Sequence, residues 1–307
     1  MKATVIVLTY RQEGSVRGAL ESVARVAEGL DCEILIGEDG SPDRTREVCE
    51  TFAAQHPELT VRLMPATPNK GFVNNYFDCL EAARGEYIAD CAGDDEWLPT
   101  FPLREAIGLL DADPTLTAVF SDAVFPDRVL GNPFATARVE GEDMLRATLN
   151  HTDSLPYVLS AAVYRKSAVM EVMRECPEIV RNPAFGVEDL PILSALASRG
   201  AAAYLPGPAL KYTVSPDSIS NARGAEKQVR FYAGALECTR CLCEFYGVDQ
   251  REVREMFRKK ARYILGLAWR SGDPDLRRLA AETAGRWSLR LPLVADLRRR
   301  LILLKGG

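Results

Sequence analysis

Over roughly the first 120 residues, short apolar runs alternate with amphipathic stretches, a pattern that predicts a βαβ series built on a parallel sheet. Thr4–Leu8 predicts a strand, and Val16–Ala27 predicts a helix because its apolar positions recur at helical spacing. Glu33–Ile36 gives the second strand, followed by Asp39-Gly40-Ser41-Pro42-Asp43 and a helix from Arg44 to Gln55. Asp43 is placed to cap that helix, since its carboxylate can accept from a first-turn amide. Val61–Met64 is the third strand, and Asn69-Lys70-Gly71 opens a loop into a helix through Asn75–Ala83. Tyr87–Asp90 is a buried strand that runs directly into Gly93-Asp94-Asp95; Leu103–Leu110 is helical and Ala118–Ser121 is a further strand.

From about residue 140 to 220 the pattern loosens into mixed helices and short strands, with Val158–Tyr164 expected as a strand and Glu188–Ser198 as a helix. Beyond about residue 225 the chain reads as helical through Trp269, turns at Ser271-Gly272-Asp273-Pro274, and continues into a helix and a basic, leucine-rich tail. This predicts an α/β domain over 1–222, divisible into 1–122 and 123–222, and a helical region over 223–307. No internal repeat is visible.

The apolar run at the amino terminus ends in Thr9-Tyr10-Arg11-Gln12-Glu13 without a small-residue cleavage pattern, so it reads as a strand and not as a signal peptide. With no apolar stretch long enough to span a bilayer, a cytoplasmic protein is expected. The formal charge of −5 and pI near 5.4 argue against a nucleic-acid partner. That net value hides a carboxyl-terminal stretch rich in Arg and Lys. Eight cysteines are scattered along the chain; Cys238, Cys241 and Cys243 invite a zinc reading, but His56 and His151 have no suitable spacing, and the three read as helix residues.

Four motifs bear on chemistry. Thr9-Tyr10-Arg11 follows the first strand and Glu38-Asp39-Gly40-Ser41-Pro42-Asp43-Arg44-Thr45 follows the second. A carboxylate there can accept a base N–H, although the pattern by itself is a turn and helix cap. Asn69-Lys70-Gly71, with Asn74 and Asn75 one turn on, offers close backbone approach and a cation for phosphate. Asp94, Asp95 and Glu96 follow a buried strand, where three acids are costly unless solvated, paired or bound to a cation. Glu188-Asp189 at a helix start suits the macrodipole and could supply a carboxylate base.

In this order the four closely resemble the motifs of family 2 glycosyltransferases of the GT-A fold, over roughly residues 3 to 220. The resemblance implies a Rossmann-like, mostly parallel central sheet flanked by helices, here with a helical carboxyl-terminal extension. It implies an enzyme that moves a hexose-type sugar from a nucleotide sugar to an acceptor with inversion. Residues 1–122 would be the nucleotide-sugar half and 123–222 the half bearing acceptor and base. The donor-binding residues so implied are Thr9, Tyr10, Arg11, Glu13, Asp39, Ser41, Asn69, Lys70, Gly71, Asn75, Asp94 and Asp95. Asp94 is the implied ligand of Mg²⁺ or Mn²⁺, and Asp189, with Glu188 as the alternative, the implied base. UDP or dTDP is favoured as the nucleotide, because the family's aspartate, here Asp39, commonly reads a pyrimidine.

The chain departs from the family pattern at three places. Arg11 stands where Asn is usual, Ala92 where the metal motif has its first acid, and Thr213 where an Arg would clamp the diphosphate. Asp95 or Asp90 could assist Asp94, and Lys211 or Arg223 could replace the clamp. The competing functions are nucleotidyl transfer and a catalytically weak relative that binds nucleotide sugars. Trp287 and the leucines from Leu289 to Leu297 precede Arg298-Arg299-Arg300, a tail that suits either an anionic membrane surface or packing on the protein or a second copy. Surface-polysaccharide or glycoconjugate assembly, with a carbohydrate, lipid-linked or small-molecule acceptor, is the expected setting.

Overall fold

The computed structural model describes residues 1–151, 154–214 and 224–287. They belong to two compact units, drawn from Met1–Thr148 with Leu155–Ser215 and from Leu149–Ser154 with Pro216–Gly307.

The first unit opens with β1 (Ala3–Thr9), α1 (Val16–Ala27), β2 (Cys32–Glu38), α2 (Thr45–Gln55), β3 (Thr60–Leu63), α3 (Phe72–Ala82) and β4 (Tyr87–Ala92). It continues through β5 (Glu96–Trp97), α4 (Leu103–Ala112), β6 (Leu116–Val124), β7 (Val129–Leu130), β8 (Arg138–Val139) and α5 (Gly141–Leu149). Its last elements are β9 (Ala162–Arg165), α6 (Lys166–Glu175), α7 (Pro177–Val180), α8 (Asp189–Arg199) and β10 (Ala201–Lys211). One sheet runs β3-β2-β1-β4-β9-β6-β10-β5. Its first four strands are parallel, β9 lies antiparallel to both β4 and β6, and β10 returns parallel to β6. The result is the expected α/β architecture, with the carboxyl ends of β1, β2 and β4 side by side.

Alternation explains the packing. Val5, Val7, Ile34, Ile36, Ala89 and Cys91 join one core with Leu20 and Val23 of α1 and Phe52 of α2, while residues of the other parity, among them Ile6, Leu35, Ile88 and Asp90, turn to the opposite face. Burying each such Leu, Ile or Phe contributes about 1.5–3 kcal/mol. Truncating Phe52, which is fully buried, should cost about 3–5 kcal/mol.

Four boundaries differ from the sequence reading, each for a local reason. The α3 helix begins at Phe72, not Asn75, because Gly71 adopts a φ of 84° and its carbonyl accepts the Asn75 amide. Asp43 lies one residue before the cap position of α2, which Arg44 holds, yet its carboxylate still accepts from Thr45 N at 3.1 Å. Leu159–Ala161 is a 3₁₀ turn and β9 starts only at Ala162; the Ser160 carbonyl is taken by Trp97 Nε1 at 3.1 Å. Finally, Ala201–Lys211 is a strand despite Pro206-Gly207-Pro208, which the sheet absorbs as an irregularity in register against β6.

The second unit contains α9 (Ala225–Tyr246), α10 (Arg254–Ser271) and α11 (Pro274–Gly285). Gly247 and Gly272 end α9 and α10 in left-handed conformation. Asp273 caps α11 by accepting from Asp275 N and Leu276 N, with Pro274 at the first helical position. Val229, Leu236, Leu242, Met256, Phe257, Ile264 and Leu276 are buried, and Phe257 stacks on Trp287 at 4.2 Å. Cys238 and Cys243 are buried thiols and Cys241 is half-buried. No helix among the described residues is long and apolar enough to cross a membrane.

Candidate active site

The residues singled out after β1 and β2 form one hydrogen-bonded assembly. Asp39 N donates to Thr9 O, Arg11 N to Ser41 Oγ, Gln12 N to Thr45 Oγ1 and Arg44 N to Glu13 Oε2. Arg11 sits at a φ of 54°, the one non-glycine residue with positive φ among those described. Asn tolerates that conformation better than Arg does, which supplies a physical reason for the family's usual residue. The Arg11 guanidinium lies 5.3 Å from the ring centroid of Tyr10, which is exposed. The Thr9 hydroxyl is buried without a hydrogen-bond partner.

Asp39 closes the donor-side loop. Its carboxylate accepts from Lys70 N on Oδ1 at 3.0 Å, and from Asn69 Nδ2 at 2.9 Å and Gly71 N at 3.0 Å on Oδ2. Asn69 Nδ2 also reaches the Asp39 carbonyl. Gly40, at a φ of 67°, lies so close to Thr67 O and Asn69 N that a Cβ would collide with both. The Lys70 ammonium is bound to Asp78 at 2.6 Å, and Arg181 shares that carboxylate. Asn75 is buried and spends its Nδ2 on Gly37 O at 2.7 Å.

At the end of β4, Gly93 N donates to Leu8 O, and a side chain at Gly93 would strike Gln12 Oε1 and Thr9. The turn that carries Asp94 is thereby held against the exit of β1. Asp94 is half-buried; burial raises its pKa and a hydrogen bond with Gln12 lowers it. Asp95 is buried, accepts from Thr213 N at 2.8 Å, and is pushed up to about 7 by burial despite that bond. Asp90 points away from the turn toward Tyr164 Oη at 2.9 Å and Tyr76 Oη at 3.4 Å. Among the described residues no group of three His, Cys, Asp or Glu is arranged to hold a metal ion. Around this turn Ala92 supplies no carboxylate, Asp95 is engaged by Thr213 N, and Asp90 by the two tyrosines.

Gly186, left-handed at a φ of 64°, ends a 3₁₀ turn and directs the chain into α8. Glu188 precedes the helix and Asp189 is its first residue, with Leu190 N donating to Asp189 Oδ1 at 2.8 Å. Burial raises the pKa of Glu188, and the charges of Asp189 and Asp90 raise it further. Lys211 is paired with Glu96 at 3.1 Å. Arg223, the stretch 215–220 and the tail from Leu289 onward lie outside the described residues.

Four participants escape sequence reasoning. Gln12 bridges the exit of β1 and Asp94, and Thr213 serves through its backbone amide, not its side chain. Tyr76 and Tyr164 read as ordinary core positions. Only the burial of Asp90 in a predicted strand signalled that some donors had to meet it there.

Comparison with known proteins bears on this edge of the sheet. Residues 4–172 match the model of glycosyl transferase family 2, more than half of the chain. The uncharacterized protein Rv1520 of Mycobacterium tuberculosis is 35% identical over 117 residues, 38% of this chain and 34% of that protein. The chain thus matches about a third of the length of such curated relatives. A dolichol-phosphate mannosyltransferase of Pyrococcus furiosus is 28% identical over 86 residues, 28% of this chain and 24% of that protein. Among solved structures, the mannosyltransferase PcManGT of Pyrobaculum calidifontis, in complex with GDP-Man and Mn²⁺, superposes with a TM-score of 0.59 at 19% identity, covering 98% of this chain and 80% of that one. S. aureus TarS 1-349, in complex with UDP-GlcNAc, gives 0.54 at 18% identity, covering 94% and 93%.

Proposed function

The chain belongs to glycosyl transferase family 2, and on that premise we propose that it moves a sugar from a nucleoside-diphosphate sugar to an acceptor hydroxyl by a single inverting displacement. The observation that carries this reading is the convergence, at the carboxyl ends of β1, β2 and β4, of the Asp39-closed loop and the Asp94 turn. Open α/β sheets bind ligands at such an edge. Asp39 has three protein donors on a carboxylate that can accept about four, so one acceptor position remains for a pyrimidine N–H. This favours UDP or dTDP. Thr9, Tyr10, Arg11, Glu13 and Ser41 line or brace the base side, and Asn69, Lys70 and Gly71 the phosphate side, with Asn75 supporting from the core.

The single available carboxylate fits Mg²⁺ or Mn²⁺ held by Asp94 together with oxygens of the donor's diphosphate, since such ions keep few protein ligands beside phosphate. The ion would supply charge stabilisation to the leaving group. Asp95 fixes Thr213 beside the turn, and Gln12 orients Asp94. Asp189 takes the proton from the acceptor hydroxyl, its charge favoured by the amino-terminal dipole of α8. Manganese and nucleotide sugars in the solved neighbours support the reading. The acceptor would be a carbohydrate, lipid-linked or small-molecule hydroxyl in polysaccharide or glycoconjugate assembly, reached from the cytoplasm with peripheral membrane contact or self-association through the basic tail.

The test is hydrolysis and transfer with a panel of nucleotide sugars, with and without Mn²⁺. Release of a nucleoside diphosphate, and a rise in melting temperature with one UDP- or dTDP-sugar in Mn²⁺, is the expected result. Pyrophosphate release would instead indicate nucleotidyl transfer. Binding without turnover would indicate the weak relative that Ala92 suggests.

A further inference from the structure

Beside the Asp94 turn, at the carboxyl ends of β6 and β10, a row of core side chains comes to the surface. Along these strands Leu210 pairs with Ala123, and both belong to the core. Side chains two positions on return to the same face, so the row continues as Tyr212 and Phe125. Backbone pairing persists this far, since Tyr212 N donates to Val124 O at 2.8 Å. The row therefore leaves the sheet as two stacked rings, 4.5 Å apart between centroids and inclined by 28°. Both pack on the core and are only half-buried.

Two further contacts fix what surrounds the rings. The turn Phe125-Pro126-Asp127-Arg128 closes on the bond from Phe125 N to Arg128 O at 2.8 Å, with Pro126 where its fixed φ suits a turn. It brings the Arg128 guanidinium to 4.5 Å from the Phe125 ring centroid while leaving that side chain 53% exposed. Among the described residues Asp127 engages only Nη1 of Arg128, so Nε and Nη2 keep donors for a ligand. On the other side, Lys211 Nζ meets Glu96 at 3.1 Å and Thr213 N donates to Asp95 at 2.8 Å. Tyr212 stands between these two ties, so the aromatic pair borders the turn that carries Asp94.

A glycosyltransferase has to bring an acceptor hydroxyl to the anomeric carbon of its donor. A sugar ring offers C–H patches, slightly positive, that lie well against the negative face of an aromatic ring, and a rim of hydroxyls that accept from a guanidinium. Partly open rings next to a planar donor match both surfaces. A bare phosphate would leave the rings uncovered, and an alkyl chain would leave the guanidinium unused. We propose that Phe125 and Tyr212, with Arg128 at their rim, form the acceptor platform, and that the acceptor presents a pyranose ring to it. The inference rests on sugar transfer at the Asp94 turn and narrows the acceptor to a carbohydrate.

The experiment uses the full chain with UDP- and dTDP-sugars, and methyl α- and β-pyranosides of glucose, galactose, mannose and N-acetylglucosamine as acceptor probes. At least one pyranoside should be glycosylated. For that probe, Tyr212→Leu and Phe125→Leu should each raise the acceptor KM by about fivefold or more, the size of one lost aromatic contact. Nucleotide affinity by calorimetry should stay within about twofold. Tyr212→Phe keeps the ring and should keep the acceptor KM, a difference from leucine that a space-filling role would not produce. Arg128→Ala changes an exposed turn, should raise the same KM, and decides the matter if the leucine variants fail to fold. An unaltered acceptor KM in folded Tyr212→Leu or in Arg128→Ala overturns the proposal, as does donor cleavage with transfer to no pyranoside or to farnesyl phosphate alone. Absence of both nucleotide binding and donor cleavage, seen before any acceptor is added, overturns the sugar-transfer reading itself.

Discussion

The acids at the exit of β2 and those around β4 meet opposite surroundings. Glu38 and Asp39 are buried at 2% and 3% exposure, yet donors surround them: Ser41 N and Arg46 reach Glu38, and three N–H groups reach Asp39. Asp90 and Asp95 are also buried, but with two tyrosine hydroxyls and one backbone amide respectively, and both are pushed up to about 7. The two sites differ in the number and kind of donors that meet a buried carboxyl, which set how far burial can raise its pKa. The first group organises backbone, while around the second burial outweighs the few donors.

Substitutions can break this contrast, beginning with the largest effect. Asp189→Asn should lower kcat by roughly 10²–10⁴, the range for a general base, while leaving nucleotide affinity within about twofold by calorimetry. If Asp94 holds the ion as proposed, Asp94→Asn should raise the Mn²⁺ concentration needed for half-maximal rate by about tenfold or more and leave the folded structure's melting temperature within a few degrees, since a half-buried ion ligand adds little packing. Asp39→Ala should behave in the converse way. It strands three donors at the Asn69–Gly71 loop, so a loss of about 3 kcal/mol is expected in urea denaturation, together with weaker nucleotide binding.

The pH dependence of stability sharpens the same comparison. Asp90 ionises near 3.8 when unfolded and near 7 when folded, so the folded state binds the extra proton between those values. Its contribution is fully present below about pH 4 and is lost as pH rises toward 7. Asp90→Asn should therefore be relatively more stable at pH 8 than at pH 5, by about 1–2 kcal/mol, read as a shift between the two denaturation midpoints. The smallest effect is expected at Arg11, where Arg11→Gly relieves the positive φ and should stabilise by about 0.5–1 kcal/mol, measured the same way. No change at all in that variant would mean that the Tyr10 contact compensates the strain.

Much of this was legible in the sequence wherever a local pattern decides the outcome. The order of strands and helices through Tyr87, the glycine at 71, and the turn at Ser271-Gly272-Asp273-Pro274 all follow from spacing and turn chemistry. The β10 strand was not, since Pro206-Gly207-Pro208 reads as a break and only a neighbouring strand can accept the irregular register. Asp39 could be picked out as an acid at a strand's carboxyl end. Its bonds to Lys70 and Gly71 could not, because they join segments about thirty positions apart. A still larger separation, 118 positions, hid Thr213, whose backbone amide and not its side chain holds Asp95. Asp90 reads from the sequence as a possible helper of Asp94, whereas its carboxylate turns to tyrosines from α3 and β9, and no pattern along the chain links them.

The closure of the Asn69–Gly71 loop by Asp39 has a consequence for the order in which the protein assembles. A loop whose shape is dictated by a strand edge does not exist until that edge has docked beside β1, so the ligand pocket is a late product of sheet formation. Conversely, whatever occupies the loop clamps β2 from its end. Ligand occupancy should accordingly slow amide exchange along Cys32–Glu38, out to the amino end of β2 that the ligand does not touch, and make the outer strands of the sheet the place where binding is felt as rigidity.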